Sequence, residues 1–485
     1  MATQRLLWIL LAAWLAVGQA APAVADEPEG AVPGGADPDV QTPPGDRARA
    51  VADVLKDDTA QGLPKARPLD SFLKDIPIGP GRLDIGGDFR LRWEYLDNYT
   101  IRRYNTGTDD DLLLMRTRVS FDYRLGDDAH AFLRFQDARF WLNEWTRKDF
   151  AGPCAYQNQV DVLQAYVEWQ HIGGSPLGFK LGRQKLGYGD KHVFGPGEWG
   201  NVGRYAWDAA KITFDTEDIQ VDAMVGQRVL NDPVRWDDNH YDYDMVGVYG
   251  RVKKLPCKLD FFYTLHYDDH GTTNGEDGRG DRRTHTYGFY VDGTCGPWDY
   301  GGTLALQNGV WGDDTIRAYG LNARLGHTFD HPWKPRVGTE FTYGSGDRDP
   351  NDGIHGTFDN VFGAVDCFYG RMNLFSWMNL ENYTLMASIE PVKNCSLWME
   401  YHFFRLAQPD DAWYYCNNRA QRRDVTGESG RSLGQEIDLM MKWKVNKTLE
   451  VMAGYAHFFP GGFMDDTAGG NDPADWAFLQ LMVSF

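Results

Sequence analysis

From Leu83 to the final Phe485 the chain alternates apolar and polar residues with a period of two, run after run. Leu83, Ile85, Phe89, Leu91, Trp93 and Tyr95 fall on one face, and Asp84, Asp88, Arg90, Arg92 and Glu94 on the other. Met115, Val119, Phe121 and Tyr123 alternate likewise with Arg116, Arg118, Asp122 and Arg124, and Ala477, Leu479, Leu481, Val483 and Phe485 close the chain on one face. Side chains alternate across an extended backbone, so each run is a strand with one apolar and one polar face. Mean hydropathy is only −0.50. The one long apolar run, Leu6 to Val17, falls short of the ~20 residues a membrane helix needs. A helix-bundle membrane protein is therefore excluded, but a β-barrel is not, since half of each of its strands is polar. The 17 Trp, 24 Tyr, 26 Phe and 54 Gly suit a β-rich chain.

Eighteen such strands are expected, near 83–95, 112–125, 129–139, 160–170, 177–187, 206–215, 219–228, 243–253, 257–268, 284–293, 298–309, 315–327, 335–345, 378–390, 395–406, 433–445, 447–458 and 476–485. The run at 177–187, where Arg183 breaks the alternation, and that at 378–390 carry the weakest pattern. The connections alternate between short turns such as Gly126-Asp127-Asp128 and long polar loops, with 310–314 the one short member of the long set. An even strand number with short turns on one rim and long loops on the other is the layout of a bacterial outer-membrane barrel. The expected fold is all-β: a closed antiparallel transmembrane β-barrel of 18 strands, with periplasmic turns and extracellular loops. The competing reading, a soluble or surface-attached β-structural protein, gives no reason for loops to sort by rim.

Arg5, the short apolar run and Ala23-Val24-Ala25 fit a signal peptide cleaved after Ala25. Residues 26–82, rich in Pro, Ala, Gly and Asp, read as a flexible periplasmic leader, and 83–485 as the barrel. The net charge of −20 argues against a nucleic-acid partner. Six cysteines without a CxxC pair give no zinc or thioredoxin-like site, and leave disulfide connectivity open. Cys257, Cys295 and Cys395 map to the periplasmic rim, and Cys154, Cys367 and Cys416 to the outside.

Four stretches in order resemble the alginate export family of outer-membrane porins. They are Leu181–Ile212 (GRQ, YGD, GP-x-x-W, N-x-GR, then DA), Tyr343–Phe362 (SGD-x-x-P-x-DG, then TF-D), Gly434–Leu439 (GQEIDL) and Gly454–Gly461 (GYAHFFPG). The resemblance implies an eighteen-stranded barrel and passive export of a polyuronate-like exopolysaccharide, with outer-membrane lipid and periplasmic export components as partners. A specific uptake porin for small anionic nutrients is the alternative within the same fold.

An 18-strand barrel encloses water, and its inward charges set selectivity. The inward candidates for the substrate path are Arg90, Arg92, Arg116, Arg118, Arg134, Lys180, Lys211 and Glu168. Arginine suits a carboxylate-rich cargo because its fork pairs with carboxylates and stays charged. Glu340, Glu400, Glu436, Asp438 and Glu450 put an opposing acidic wall on the later strands. Loops 346–377 and 140–159 are the candidates to fold into the lumen. No catalytic motif, cofactor or metal-ligand set is expected: HExxH, G-x-S-x-G and P-loop patterns are absent. His266/His270 and His327/His331 lie too far apart on extended chain, and His402 beside Glu400 reads as an ordinary lumen pair. The acidic loops Asp268–Asp281 and Asp347–Asp359 read as solvated, because Asp352 and Phe358 stand where a calcium loop needs Gly and Glu.

Overall fold

The computed structural model describes residues 72–143, 155–203, 206–360, 362–364 and 368–485, with only the backbone of 240–243. The expected signal peptide and most of the leader lie outside the described residues. So do Cys154 and Cys367.

Eighteen strands form one antiparallel sheet. They are β1 (Gly81–Tyr99), β2 (Tyr104–Leu125), β3 (Ala129–Trp141), β4 (Asn158–Trp169), β5 (Leu177–Lys185) and β6 (Ala206–Asp215). There follow β7 (Ile219–Leu230), β8 (Asp238–Val252), β9 (Lys258–Asn274), β10 (Arg279–Cys295), β11 (Trp298–Trp311) and β12 (Asp314–Thr328). The last six are β13 (Arg336–Gly344), β14 (Leu380–Val392), β15 (Cys395–Leu406), β16 (Ser432–Lys444), β17 (Leu449–Pro460) and β18 (Ala474–Ser484). Each pairs with its sequence neighbour, and β18 pairs back onto β1 from Asp88↔Ser484 to Asp97↔Asp475, which closes the cylinder. A closed sheet leaves no unpaired strand edge in hydrocarbon, where an unpaired N–H or C=O costs several kcal/mol. At the seam Gly87 and Phe485 exchange two main-chain bonds, of 3.1 and 3.0 Å. A Cβ on Gly87 would lie 2.7 Å from the Phe485 ring, so only glycine admits that close approach.

The pleat sorts the side chains as the period demands. Phe89, Leu181, Val225, Phe261, Leu385 and Leu481 point outward and are exposed on the bare protein. Arg90, Arg116, Lys180, Asp260, Glu400 and Asp438 point inward and are buried. The polar side therefore lines the interior, inverted from a soluble protein, because lipid is the outer solvent.

All eighteen expected strands are present, several with longer edges, while those expected at 177–187 and 335–345 are shorter, Leu177–Lys185 and Arg336–Gly344. β2 starts at Tyr104 rather than 112, and β9 and β10 run on to Asn274 and from Arg279. The connections 100–103 and 275–278 are thus short, in addition to 312–313, where long loops were expected. Beyond the membrane both strand faces meet water, so pairing continues where apolar alternation has stopped. The break at Arg183 has a local cause. Gly182 adopts φ +122°, and Arg183 points outward in a two-pronged pair with Asp208 (2.9 and 3.0 Å). Cys257, Cys295 and Cys395 lie at the rim of short turns and Cys416 in the opposite loop 407–431; all four are free thiols.

Candidate functional site

The arginines expected inside the lumen come together as a ladder. The register places Arg90 opposite Arg116, with Asp88 opposite Arg118 one step along. Four guanidiniums so close repel one another, and the chain answers by folding residues 186–203 of the β5–β6 connection onto them. Arg90 donates to the carbonyls of Trp199 (3.2 Å) and Gly200 (3.0 Å) and to the Asn201 side chain (3.1 Å). Arg92 donates to the Trp199 carbonyl (3.1 Å), lies 4.7 Å from the centre of its ring, and pairs with Glu94 (2.8 Å). Arg118 holds the Glu198 carboxylate (3.0 Å) and Gln136 (2.8 Å), and Lys185 meets the other Glu198 oxygen. Arg116 reaches Asp88 and the Glu198 carbonyl, both at 3.5 Å. Enclosure in the lumen by itself would raise the Glu198 carboxyl, although 40% of its side chain stays exposed; Lys185, Arg118 and Arg116 override it and hold it well below the usual carboxylate range. Asn201 fastens the segment by donating to the carbonyls of Met115, Arg139 and Tyr156.

The other expected residues sit nearer the short-turn rim on the same wall. Lys180 faces Glu168 at 3.7 Å and lies 3.6 Å over the Tyr166 ring. His130 bridges Glu168 (3.1 Å) and Asp122 (2.8 Å). Lys211 faces Asp222 at 3.5 Å, and Arg134 donates to Gln164 at 3.3 Å. All eight are on the inner face, but they form two groups: the ladder under the folded segment, and a charge-balanced group below it.

Further round the barrel, three to six strands from β1, Glu340, Glu400, Glu436 and Asp438 are buried on β13, β15 and β16, and Glu450 pairs with Lys442 (3.0 Å). The described residues of a second connection, 345–379, fold inward against this wall, as expected for 346–377. Arg371 holds Glu400 (2.9 Å), the Met372 N–H donates to Glu436 (3.0 Å), and Phe375 stacks on Phe404 at 3.9 Å. The two inward segments then meet. The Gly195 N–H donates to the Phe362 carbonyl (2.8 Å) and the Ala364 N–H to that of Lys191 (2.9 Å). A Cβ on Gly363 would lie 1.9 Å from the His192 carbonyl oxygen. The lumen is thus bridged from basic wall to acidic wall by main-chain bonds.

Sequence reasoning did not place 186–203 inside the barrel. The available signal was Tyr188, Phe194 and Trp199 in a connection otherwise rich in glycine. Of the connection 140–159, residues 144–154 lie outside the described residues, while Tyr156 is buried against Phe140. The histidine pairs stay apart in role: His266 is buried, while His270 is bonded to Asp268 (2.9 Å).

A family model described as Alginate export matches residues 81–478. No curated protein matches. Among solved structures, OccK9 (OpdG) of Pseudomonas aeruginosa shares 10% identity at TM-score 0.56, covering 83% of this chain and 98% of its own. OccAB2 of Acinetobacter baumannii and OpdQ of Pseudomonas aeruginosa each share 10% identity at TM-score 0.54, with the same coverage. At such identities these structures speak for the fold.

Proposed function

Because the chain belongs to the alginate export family, and is therefore an outer-membrane porin of bacteria, we propose that its cargo is an anionic exopolysaccharide of the polyuronate kind, exported passively. The observation that carries this reading is the charge balance of the ladder. Among the described residues, the carboxylates that Arg90, Arg92, Arg116, Arg118 and Lys185 face are Asp88, Glu94 and Glu198. Two guanidiniums are satisfied largely by the neutral carbonyls of Trp199 and Gly200. A carboxylate is the stronger acceptor, since charge-assisted bonds are about twice as strong as neutral ones. A uronate arriving at the ladder exchanges with those carbonyls, and the 186–203 segment yields as the polymer passes. The gain per contact stays small in a wet lumen, so the next residue of the chain can displace the last. The carboxylates further round the wall repel the same polymer.

A second reading has its own support. The bonds joining Gly195 to Phe362 and Ala364 to Lys191 narrow the lumen, which suits uptake of small anionic solutes. Planar-bilayer recording separates the two. Polyuronate modulation of the conductance, weakened by Arg116→Glu with Arg118→Glu, is expected for export. Indifference to polyuronate, together with fast liposome swelling in small organic acids, would overturn it in favour of uptake.

A further inference from the structure

The acidic wall carries a cluster that permeation of an anion does not use. Strand register sets Glu400 opposite Asp438 and His402 opposite Glu436, four inward side chains in a square on two adjacent strands. None is more than 1% exposed. Ligand atoms of Glu400, His402 and Asp438 all lie within 4.8 Å of one another. His402 Nε2 stands 3.4 Å from an Asp438 oxygen.

The hydrogen bonding of this square is incomplete in one direction. Among the described residues, both Asp438 oxygens, Glu400 Oε1, Glu436 Oε2 and His402 Nε2 have no hydrogen-bond partner, although each is buried. Their other sides are held. Glu400 Oε2 takes Arg371, Glu436 Oε1 takes the Met372 N–H, and His402 Nδ1 lies 3.1 Å from the Thr384 hydroxyl. Phe404 stacks flat on the imidazole at 5.2 Å. Three carboxylates gather around one imidazole, and Arg371 is the one guanidinium the described residues bring to them. Buried charges left uncompensated cost several kcal/mol each, so this arrangement calls for a counter-charge inside the square.

We infer that Glu400, His402 and Asp438 bind a divalent first-row cation of the zinc or manganese class, with Glu436 supplying charge beside it. One imidazole nitrogen with carboxylate oxygens suits these ions, whereas calcium takes oxygen donors alone. Metal–ligand distances of about 2.0–2.2 Å place opposite ligands ~4.2 Å apart, so the three close on an ion with shifts of tenths of an ångström. The Thr384 hydroxyl (3.1 Å) and the Asn382 side-chain amide (3.2 Å) both face Nδ1; in the tautomer with the proton on Nδ1, Thr384 accepts it and Nε2 is free to ligate, the usual arrangement for a metal-bound histidine. The sequence presented only the Glu400/His402 pair; the neighbouring strand supplies the third ligand. Because Glu400 and Glu436 also hold Arg371 and Met372, the ion fixes the wall on which the 345–379 segment is seated. The inference is independent of the cargo.

The test uses the full chain, folded in detergent, stripped with chelator and dialysed against Zn²⁺, Mn²⁺ or Ca²⁺. Elemental analysis is expected to find about one Zn²⁺ or Mn²⁺ retained per chain. His402→Gln and Asp438→Asn should each lower retention at least tenfold, and Asp352→Asn, in the extracellular loop, should leave it unchanged. Co²⁺ loading gives a second reading that needs only His402→Gln to fold: a visible absorption band from nitrogen–oxygen coordination in the wild type, lost in the variant. Folded wild-type protein that retains no transition metal, or retains it equally in His402→Gln, overturns the assignment. So does retention of Ca²⁺ alone.

Discussion

Replacing Glu198 by alanine takes away the carboxylate through which Arg118 and Lys185 hold the 186–203 segment against the basic wall. The Arg118 side chain is 7% exposed and that of Glu198 40%. A hydrogen bond to a charged group contributes about 1.5–3 kcal/mol when buried, and an exposed ion pair about 0–1 kcal/mol. The half-exposed carboxylate falls between, so its loss should cost the seated segment ~1–2 kcal/mol. Arg90, Arg92 and Asn201 keep their bonds to the chain, so the segment loosens and is not released. A loss of that size raises the ratio of open to seated segment by roughly 5–30-fold. Single-channel recording should show larger or more frequent conducting levels, and hydrogen exchange at 186–203 should quicken. The difference should shrink in high salt, because salt screens the exposed half of the pair. Unchanged conductance and unchanged exchange, in protein that still migrates heat-modifiably on detergent gels, would refute the idea that the ladder seats this segment.

Gly363→Ala places a methyl group against the His192 carbonyl, so the two inward segments should part and conductance should rise without loss of the barrel. Asp347, in the 345–379 segment, is pushed up to about 6 by burial and by the neighbouring Asp411 carboxylate. A carboxyl raised in the folded state stabilises it below the ordinary value near 4 and loses that contribution as pH rises through about 6. With the intrinsic pH dependence of exchange divided out, the segment should therefore show higher protection factors at pH 4.5 than at pH 7, and Asp347→Asn should flatten the difference. Deleting Phe485 removes two seam bonds with Gly87, each worth about 0.5–1.5 kcal/mol; heat-modifiable protein should fall in the membrane fraction, and normal yield would count against a role for the terminal residue in closure.

The period of two determined most of the barrel. Once Leu83, Ile85 and Phe89 alternate with Asp84, Asp88 and Arg90, facing follows from the pleat, and with it the inner position of every candidate charge. Strand number and the sorting of turns from loops followed too, because both are local in sequence. The hairpin extensions at β2, β9 and β10 were hidden, since strands wet on both faces carry no alternation. Only the tertiary structure decided what fills the cylinder. Glu198 meets Arg118 across 80 residues and Glu436 meets Met372 across 64. No local pattern announces such pairs, because they form only after closure brings distant charges to one height, where each buried group needs a partner.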